Sequence, residues 1–401
     1  MTLLQGVRVL DLSRMLAGPY GSMLLADLGA EVIKIEDPRG GDPMRAMGPP
    51  FLSGPGMSRE SAYFLAINRN KRSVAIDLET PGGQEVFHDL CRVADVVWEN
   101  FRPGVMERLG SAPATLRALN PRLVVCSISA FGQEGPYREW PAFDLALQAM
   151  GGAMSLTGDN QGSPVRMGLP MGDLAGGMFG ALAVAAALVR RQATGEGTAI
   201  DLSLLDCQVS LLTYMAQYFW TDGQVPGRVG SGHASVVPYQ AFATRDGHLV
   251  VAVFAEKFWA GFCRAIDRPD LIQDARFDAN EKRVQRRAEL VPLLESLFPA
   301  RPTADWLARL QAEGVPAAPI NRVDQVLADP QVRLRDMVVS LPHPALGGLP
   351  TLGTPIKAAG QGPFRPEPPP PLGADTDRVL TDLLGYDPQR LTALRQCGAV
   401  A

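Results

Sequence analysis

Short apolar runs alternate with helix-punctuated segments through the first third of this chain, and that rhythm narrows the folds open to it. Val7-Arg-Val-Leu-Asp-Leu12 is rich in Val and Leu and reads as a strand. Pro19 stands at a helix start and Gly29 at its end. Glu31-Val-Ile-Lys-Ile-Glu36 alternates as a strand should, and Ser73–Leu78 continues the series. Thr80-Pro81 caps a helix that runs to about Ala94. Asp95–Trp98 and Arg122–Ile128 are further strands. Strands and helices in this alternation predict a parallel sheet with helices on its faces.

The rest of the chain changes pattern twice. Residues 38–57, crowded with Pro and Gly, read as a long loop of the functional or mobile kind. After Asp173 come a long helix, a strand at Thr198–Leu202 and a second helix to about Trp220. Residues 222–235 are Gly-rich. Tyr239–Thr244 and His248–Phe254 then read as a hairpin around Arg245-Asp-Gly247. Helices follow at roughly 256–266, 283–298 and 303–312. The proline run in residues 361–373 is a stiff connector, followed by a helix over Asp375–Leu384. The expected fold class is α/β. A Rossmann-like large domain takes residues 1–200 and 326–401, so both chain ends build it. A smaller α+β middle domain takes 225–325.

Bulk properties exclude several classes. The net charge of −4 has both signs interspersed, which argues against a nucleic-acid partner. The apolar run Met178–Val189 is too short to span a bilayer, so no membrane partner is expected. No charged segment followed by an apolar stretch opens the chain, and five scattered cysteines show no CxxC pair. Both features suggest a cytoplasmic protein with free thiols. The four histidines lack HExxH spacing, so no metal is expected. The turn Leu16-Ala-Gly-Pro-Tyr-Gly21 lacks GxGxxG, and neither a P-loop nor a GxSxG elbow occurs. Ser127 and Ser129 read as strand-end or turn residues rather than nucleophiles.

Asp173 stands out. It lies among Gly172, Gly176 and Gly177 at the start of the apolar run, with no Lys or Arg within five residues. Glycines let a ligand or a second backbone approach closely. Two readings stay open locally: an N-cap of a buried helix, or a nucleophilic carboxylate. Asn68-Arg-Asn-Lys-Arg-Ser73 and Asn100-Phe-Arg-Pro-Gly104, with Arg108, place cations beside expected strand ends. They suit phosphate binding or a solvated basic edge equally well.

With these residues in view, the chain resembles the family III coenzyme A transferases over nearly its whole length. The motifs that carry the resemblance run in order: Gly6–Pro19, Asp27–Glu36, Asn70–Ser73, Glu99–Gly104, Gly132–Pro136 and Asp144–Ala149. The resemblance implies that Asp173 is the nucleophile, passing through an anhydride and an aspartyl-CoA thioester. It implies no permanently bound cofactor, with coenzyme A and acyl-CoA as substrates. Leu16 and Ala17 then line the pantetheine, and Ile76 and Leu78 the adenine edge. Asn100, Phe101 and Arg102 cross the nucleotide, Arg108 meets a phosphate, and Phe143 joins the cofactor-binding positions.

Two departures sharpen the resemblance. Leu16 stands where the formyl branch has glutamine, and Phe143 stands where the related racemases have histidine. Racemisation needs a proton donor and acceptor on opposite faces of the α-carbon, which Phe143 cannot supply. A racemase or a thioesterase is therefore the alternative function. Gly232–Gln240 and Gly48-Pro-Pro50 look like the succinyl-CoA:glutarate branch. Arg45 or His233 would hold the far carboxylate of a dicarboxylic acid such as glutarate, itaconate or mesaconate. Gly230 and Gly232 belong to a Gly-rich segment, 227–232, expected to close over the substrate. The resemblance also implies an interlocked homodimer, each chain threading its partner.

Overall fold

The computed structural model describes residues 2–54, 59–360 and 362–401. Residues 55–57 of the expected long loop and Gln361 of the connector lie outside the described residues. The chain is mixed α/β around a six-stranded sheet. Its strands are β1 (Arg8–Asp11), β2 (Glu31–Glu36), β3 (Lys71–Ala75), β4 (Val96–Glu99), β5 (Val124–Ser129) and β6 (Ala199–Ser203). They lie in the order β3-β2-β1-β4-β5-β6, and every pairing is parallel. This order reverses direction between β1 and β4, which opens a crevice at their carboxyl ends.

Two compact units divide the chain. The first holds Met1–Ala153, Arg166–Gln217 and Pro330–Ala401. The second holds Met154–Val165 and Tyr218–Asp329, so it includes a short segment that the sequence reading placed in the large domain. In this second unit, strands Tyr239–Ala243 and His248–Ala252 pair antiparallel, with Ala317–Pro319 beside the latter. Its core gathers Phe242, Phe262, Phe298 and Trp306.

In the first unit, α1 (Ala17–Asp27) and α2 (Pro81–Val93) follow β1 and β3. Thr80 Oγ1 accepts from Gly83 N at 3.0 Å, so the expected cap forms. The long helix α4 (Met171–Thr194) begins two residues before Asp173, and α3 (Asp144–Met150) precedes it. By length and composition α4 could cross a membrane, which the shorter run read from sequence could not. Its glycine face is instead packed inward against α1. A Cβ on Gly177 would lie 2.7 Å from Ala17 O, and one on Gly21 would lie 2.7 Å from Gly177 O. Backbone therefore rests on backbone where the helices cross. Gly177→Ala is expected to lose about 1–3 kcal/mol in urea unfolding, although alanine is the better helix former. An unchanged or raised midpoint would show that the helices separate freely.

Beneath that crossing lies a buried charge network. Sequence alternation made β2 look half solvated, but Lys34 is 2% exposed and Glu36 3%. Lys34 Nζ donates to Ser13 O at 2.7 Å and lies 3.0 Å from Asp42 Oδ2. Lys71 Nζ donates to Asp11 Oδ2 at 3.0 Å, Pro19 O at 2.9 Å and Asn68 Oδ1 at 2.8 Å. Burial raises the Asp11 carboxyl, but Lys71, Lys34, Ser13 and Ser22 outweigh it and hold it down to about 2. Burial pushes Lys71 down to about 8, and Lys34 adds repulsion. Lys34 goes the other way: burial lowers it, yet Asp11, Asp42 and Glu36 together raise it.

The chain's end returns to β3. Asp375 Oδ2 accepts from Ser73 N at 3.0 Å, and Val400 bridges Ile76. Helix Thr376–Leu384 matches the expected terminal helix, while a further helix, Pro388–Gln396, had no clear apolar period to announce it.

Candidate active site

The crevice at the β1–β4 switch is where open parallel sheets bind ligands. Met15, Leu16 and Ala17 leave β1 into it, and Asn100–Pro103 leave β4. Asn100 ties the two segments: its Oδ1 accepts from Arg14 N and its Nδ2 donates to Arg14 O, each at 2.8 Å. Ser129, Arg138, Trp140, Phe143 and Asp173 complete the walls of a cavity of about 230 Å³. A second groove, about 300 Å³, is lined by Ile76, Leu78, Phe101, Arg102 and Arg108, with Arg14, with Arg39 paired to Asp37 and Glu79, and with Glu36 and Asp77. Phe101 and Arg102 belong to both. An apolar edge, a set of guanidinium groups and a carboxylate thus follow one another around a shared hinge.

Glu99 fixes that hinge from below. It is 3% exposed, and its Oε2 accepts from Phe101 N at 2.7 Å. Burial pushes its carboxyl up to about 7 despite the hydrogen bonds from Ser127 and Phe101. The sequence reading passed over Glu99, because a strand-end glutamate is ordinarily solvated.

Asp173 is not the helix cap that local sequence allowed. It is the third residue of α4, within the first turn. The capping acceptor is Asp144, 29 positions earlier, whose Oδ1 accepts from Gly172 N at 2.8 Å and Asp173 N at 3.2 Å. Gln148 Nε2 donates to Asp144 Oδ2 at 2.6 Å. Those backbone donors are therefore already engaged, which leaves the Gly172 and Asp173 amides no part in holding an oxyanion. The mouth of α1 is different. Its cap residue Leu16 supplies no side-chain bond to the first turn, and Leu16 and Ala17 line the cavity. Burial raises the Asp173 carboxyl to about 7, and the neighbouring Asp144 charge adds to the shift. Burial and the charges of Asp173, Asp144 and Asp42 also raise the Tyr63 phenol.

The remaining expected residues divide. Leu16, Ala17, Asn100, Phe101, Arg102 and Phe143 share the cavity with Asp173, while Ile76, Leu78 and Arg108 line the adjoining groove. Arg45 joins neither. It forms a two-pronged pair with Glu36 at 2.8 and 2.7 Å and donates to Pro370 O, so its charge is already matched. Nothing in these contacts adds to its expected substrate role. Gly230, Gly232 and His233 belong to the second unit. There Gly230, at φ +62°, donates its N–H to Gly158 O, and His233 Nδ1 accepts from Ser235 N. Ser129 Oγ accepts from Gly132 N at 3.0 Å, a turn role as expected.

Residues 4–376 match CoA-transferase family III. The chain is 39% identical to the succinyl-CoA:glutarate CoA-transferase of Mus musculus over 397 residues, which are 99% of this chain and 90% of the relative. It is 40% identical to the succinyl-CoA:mesaconate CoA-transferase of Haloarcula hispanica, over 89% of this chain and 90% of the relative. A crystal structure of a CAIB/BAIF family protein from Brucella suis superposes with a TM-score of 0.85, at 38% identity, over 95% of this chain and 99% of that one. Family match and whole-length likeness agree with the crevice chemistry: the chain belongs to CoA-transferase family III and is a CoA-transferase.

Proposed function

We propose that this enzyme moves CoA from succinyl-CoA to a small dicarboxylic acid through an aspartyl-CoA thioester on Asp173. The observation that carries the reading is the cavity: among the described residues the only carboxylate in its lining is Asp173, and its Phe101 and Arg102 are shared with the groove that holds Arg14 and Arg108. Relatives named for succinyl-CoA with glutarate or mesaconate support the acid class.

In the reading, the nucleotide lies along Ile76, Leu78 and Arg108, and pantetheine passes Leu16 and Ala17. An Asp173 oxygen attacks the donor thioester carbonyl; the C–S bond breaks and leaves a mixed anhydride with CoA thiolate. The thiolate attacks the aspartyl carbonyl, and the donor acid departs as a carboxylate. The acceptor carboxylate then attacks the aspartyl-CoA carbonyl and releases thiolate, which attacks the acceptor's acyl carbon and frees Asp173. No proton is consumed overall. The start of α1, whose cap residue Leu16 gives no side-chain bond and lines the cavity, is the candidate for holding the developing oxyanion. Phe143 carries no titratable group at the cavity, which tells against a racemase. The proposal also includes a cytoplasmic location and a homodimer of interlocked chains. For the dimer, the exposed row Met178, Leu182 and Val189 on α4 is support, being the kind of surface that a second copy covers.

The test is exchange from succinyl-CoA to glutarate, with the aspartyl-CoA adduct located by mass spectrometry after quenching. Because the nucleophile must be ionised and Asp173 sits near 7, kcat/KM should fall about tenfold per pH unit below neutrality. Asp144→Asn removes the repelling charge, so that limb should move to lower pH. An adduct on another residue would refute the assignment.

A further inference from the structure

Two arginines line the cavity that holds Asp173, Arg102 and Arg138. Arg102 also lines the adjoining groove together with Arg14, Arg39 and Arg108, so its charge is shared with the phosphate side. Arg138 lines the Asp173 cavity alone. It sits on the turn between β5 and α3, where three rings fix the backbone. Tyr137 and Trp140 are 4.4 Å apart between centroids, and Phe131 meets them edge-on at 5.7 and 6.4 Å. Its ion pair is with Glu139, the next residue, at 2.9 Å, and the two side chains are 46% and 71% exposed. A pair of that kind holds little free energy and yields readily to a better-placed acid. Arg45, by contrast, is committed to Glu36 beneath a proline run.

We infer that Arg138 selects the acceptor by binding the second carboxylate of a dicarboxylic acid whose first carboxylate meets Asp173. This rests on the proposed transferase reading and adds the group that distinguishes a diacid from a monoacid. A guanidinium fork donates to both oxygens of a carboxylate, and the apolar side chains of Trp140 and Phe143 in the same lining suit a short methylene chain between the two charged ends. On binding, Glu139 is released to solvent and no covalent bond changes.

The experiment compares wild type with Arg138→Met and Arg138→Lys, using glutarate and pentanoate as acceptors and measuring CoA affinity separately. Arg138→Met should raise KM for glutarate about ten- to a hundredfold, the usual worth of a hydrogen bond to a charged group. KM for pentanoate and the affinity for CoA should stay within about twofold. Arg138→Lys should recover part of the loss. Equal effects on both acids, or an unchanged glutarate KM, would overturn the inference while leaving the transferase reading intact. Loss of CoA affinity instead would assign Arg138 to the nucleotide and also overturn it. A wild-type enzyme that transfers CoA to pentanoate but never to glutarate would sink the diacid reading itself, and this inference with it.

Discussion

Asp173→Asn should lose acyl exchange by about a thousandfold or more and still bind CoA with wild-type affinity. An amide cannot form the anhydride, while the groove at Ile76, Leu78 and Arg108 does not include residue 173. The helix should survive the change, because Asp144 rather than Asp173 accepts from its first amides. Stability should even rise at alkaline pH. The folded carboxyl titrates near 7, above its ordinary value, so the folded chain holds a proton that the unfolded chain releases. Wild-type stability therefore falls as pH rises from about 4 to 7, by on the order of 2 kcal/mol for this partly solvated group. The asparagine variant lacks that fall and should melt higher at pH 8. Calorimetric CoA titration, an exchange assay and thermal melts at pH 5 and 8 check all three points. Exchange within tenfold of wild type would remove Asp173 from the chemistry.

The second large effect belongs to Asp11. Asp11→Ala deprives Lys71 of its ion-pair partner and Lys34 of an attracting charge, and both lysines are buried. The expected loss is about 3–5 kcal/mol in urea unfolding at pH 7. The double variant Asp11→Ala with Lys71→Met should recover part of it, since the main orphaned charge is gone. The acid behaviour gives a separate check. Asp11 is held down to about 2, below its ordinary value, so its contribution is complete above about pH 4 and vanishes as pH falls through 2. Wild type should lose stability in that window by more than the alanine variant does. A cost under about 1 kcal/mol would mean that water reaches the lysines.

Much of the sheet was legible because strand period and helix punctuation are local signals. Thr80-Pro81, Glu31–Glu36 and the hairpin at 239–252 all fell within a residue or two of where the chain puts them. What failed was spatial. Lys34 and Glu36 look like the wet face of a strand, and only the carboxylates and cations folded over them explain their burial. Asp173 could be a cap or a nucleophile in local sequence because both roles want one short acid. The cap reading fell to Asp144, a residue no spacing rule connects to it, which takes the capping bonds. Arg45 read as a substrate anchor because a loop arginine has no visible partner in sequence; Glu36 and Pro370 are its partners in space. Arg138 was hidden for the opposite reason, since its neighbour Glu139 makes it look self-satisfied.

The glycine crossing of α1 and α4 has a consequence for redesign. Where main chain meets main chain, no rotamer can absorb a shift, so the distance from residue 173 to the Leu16–Ala17 segment is a fixed ruler. Retargeting the enzyme to another acid by altering that joint would misalign the reacting atoms before it changed preference. The turn carrying Arg138 and Phe143 is the adjustable part: Phe143 is 72% exposed and stands outside the ring cluster of Phe131, Tyr137 and Trp140, so it can be replaced with little effect on the interior. A library confined to residues 138 and 143 should therefore yield altered acceptors with the turn itself intact.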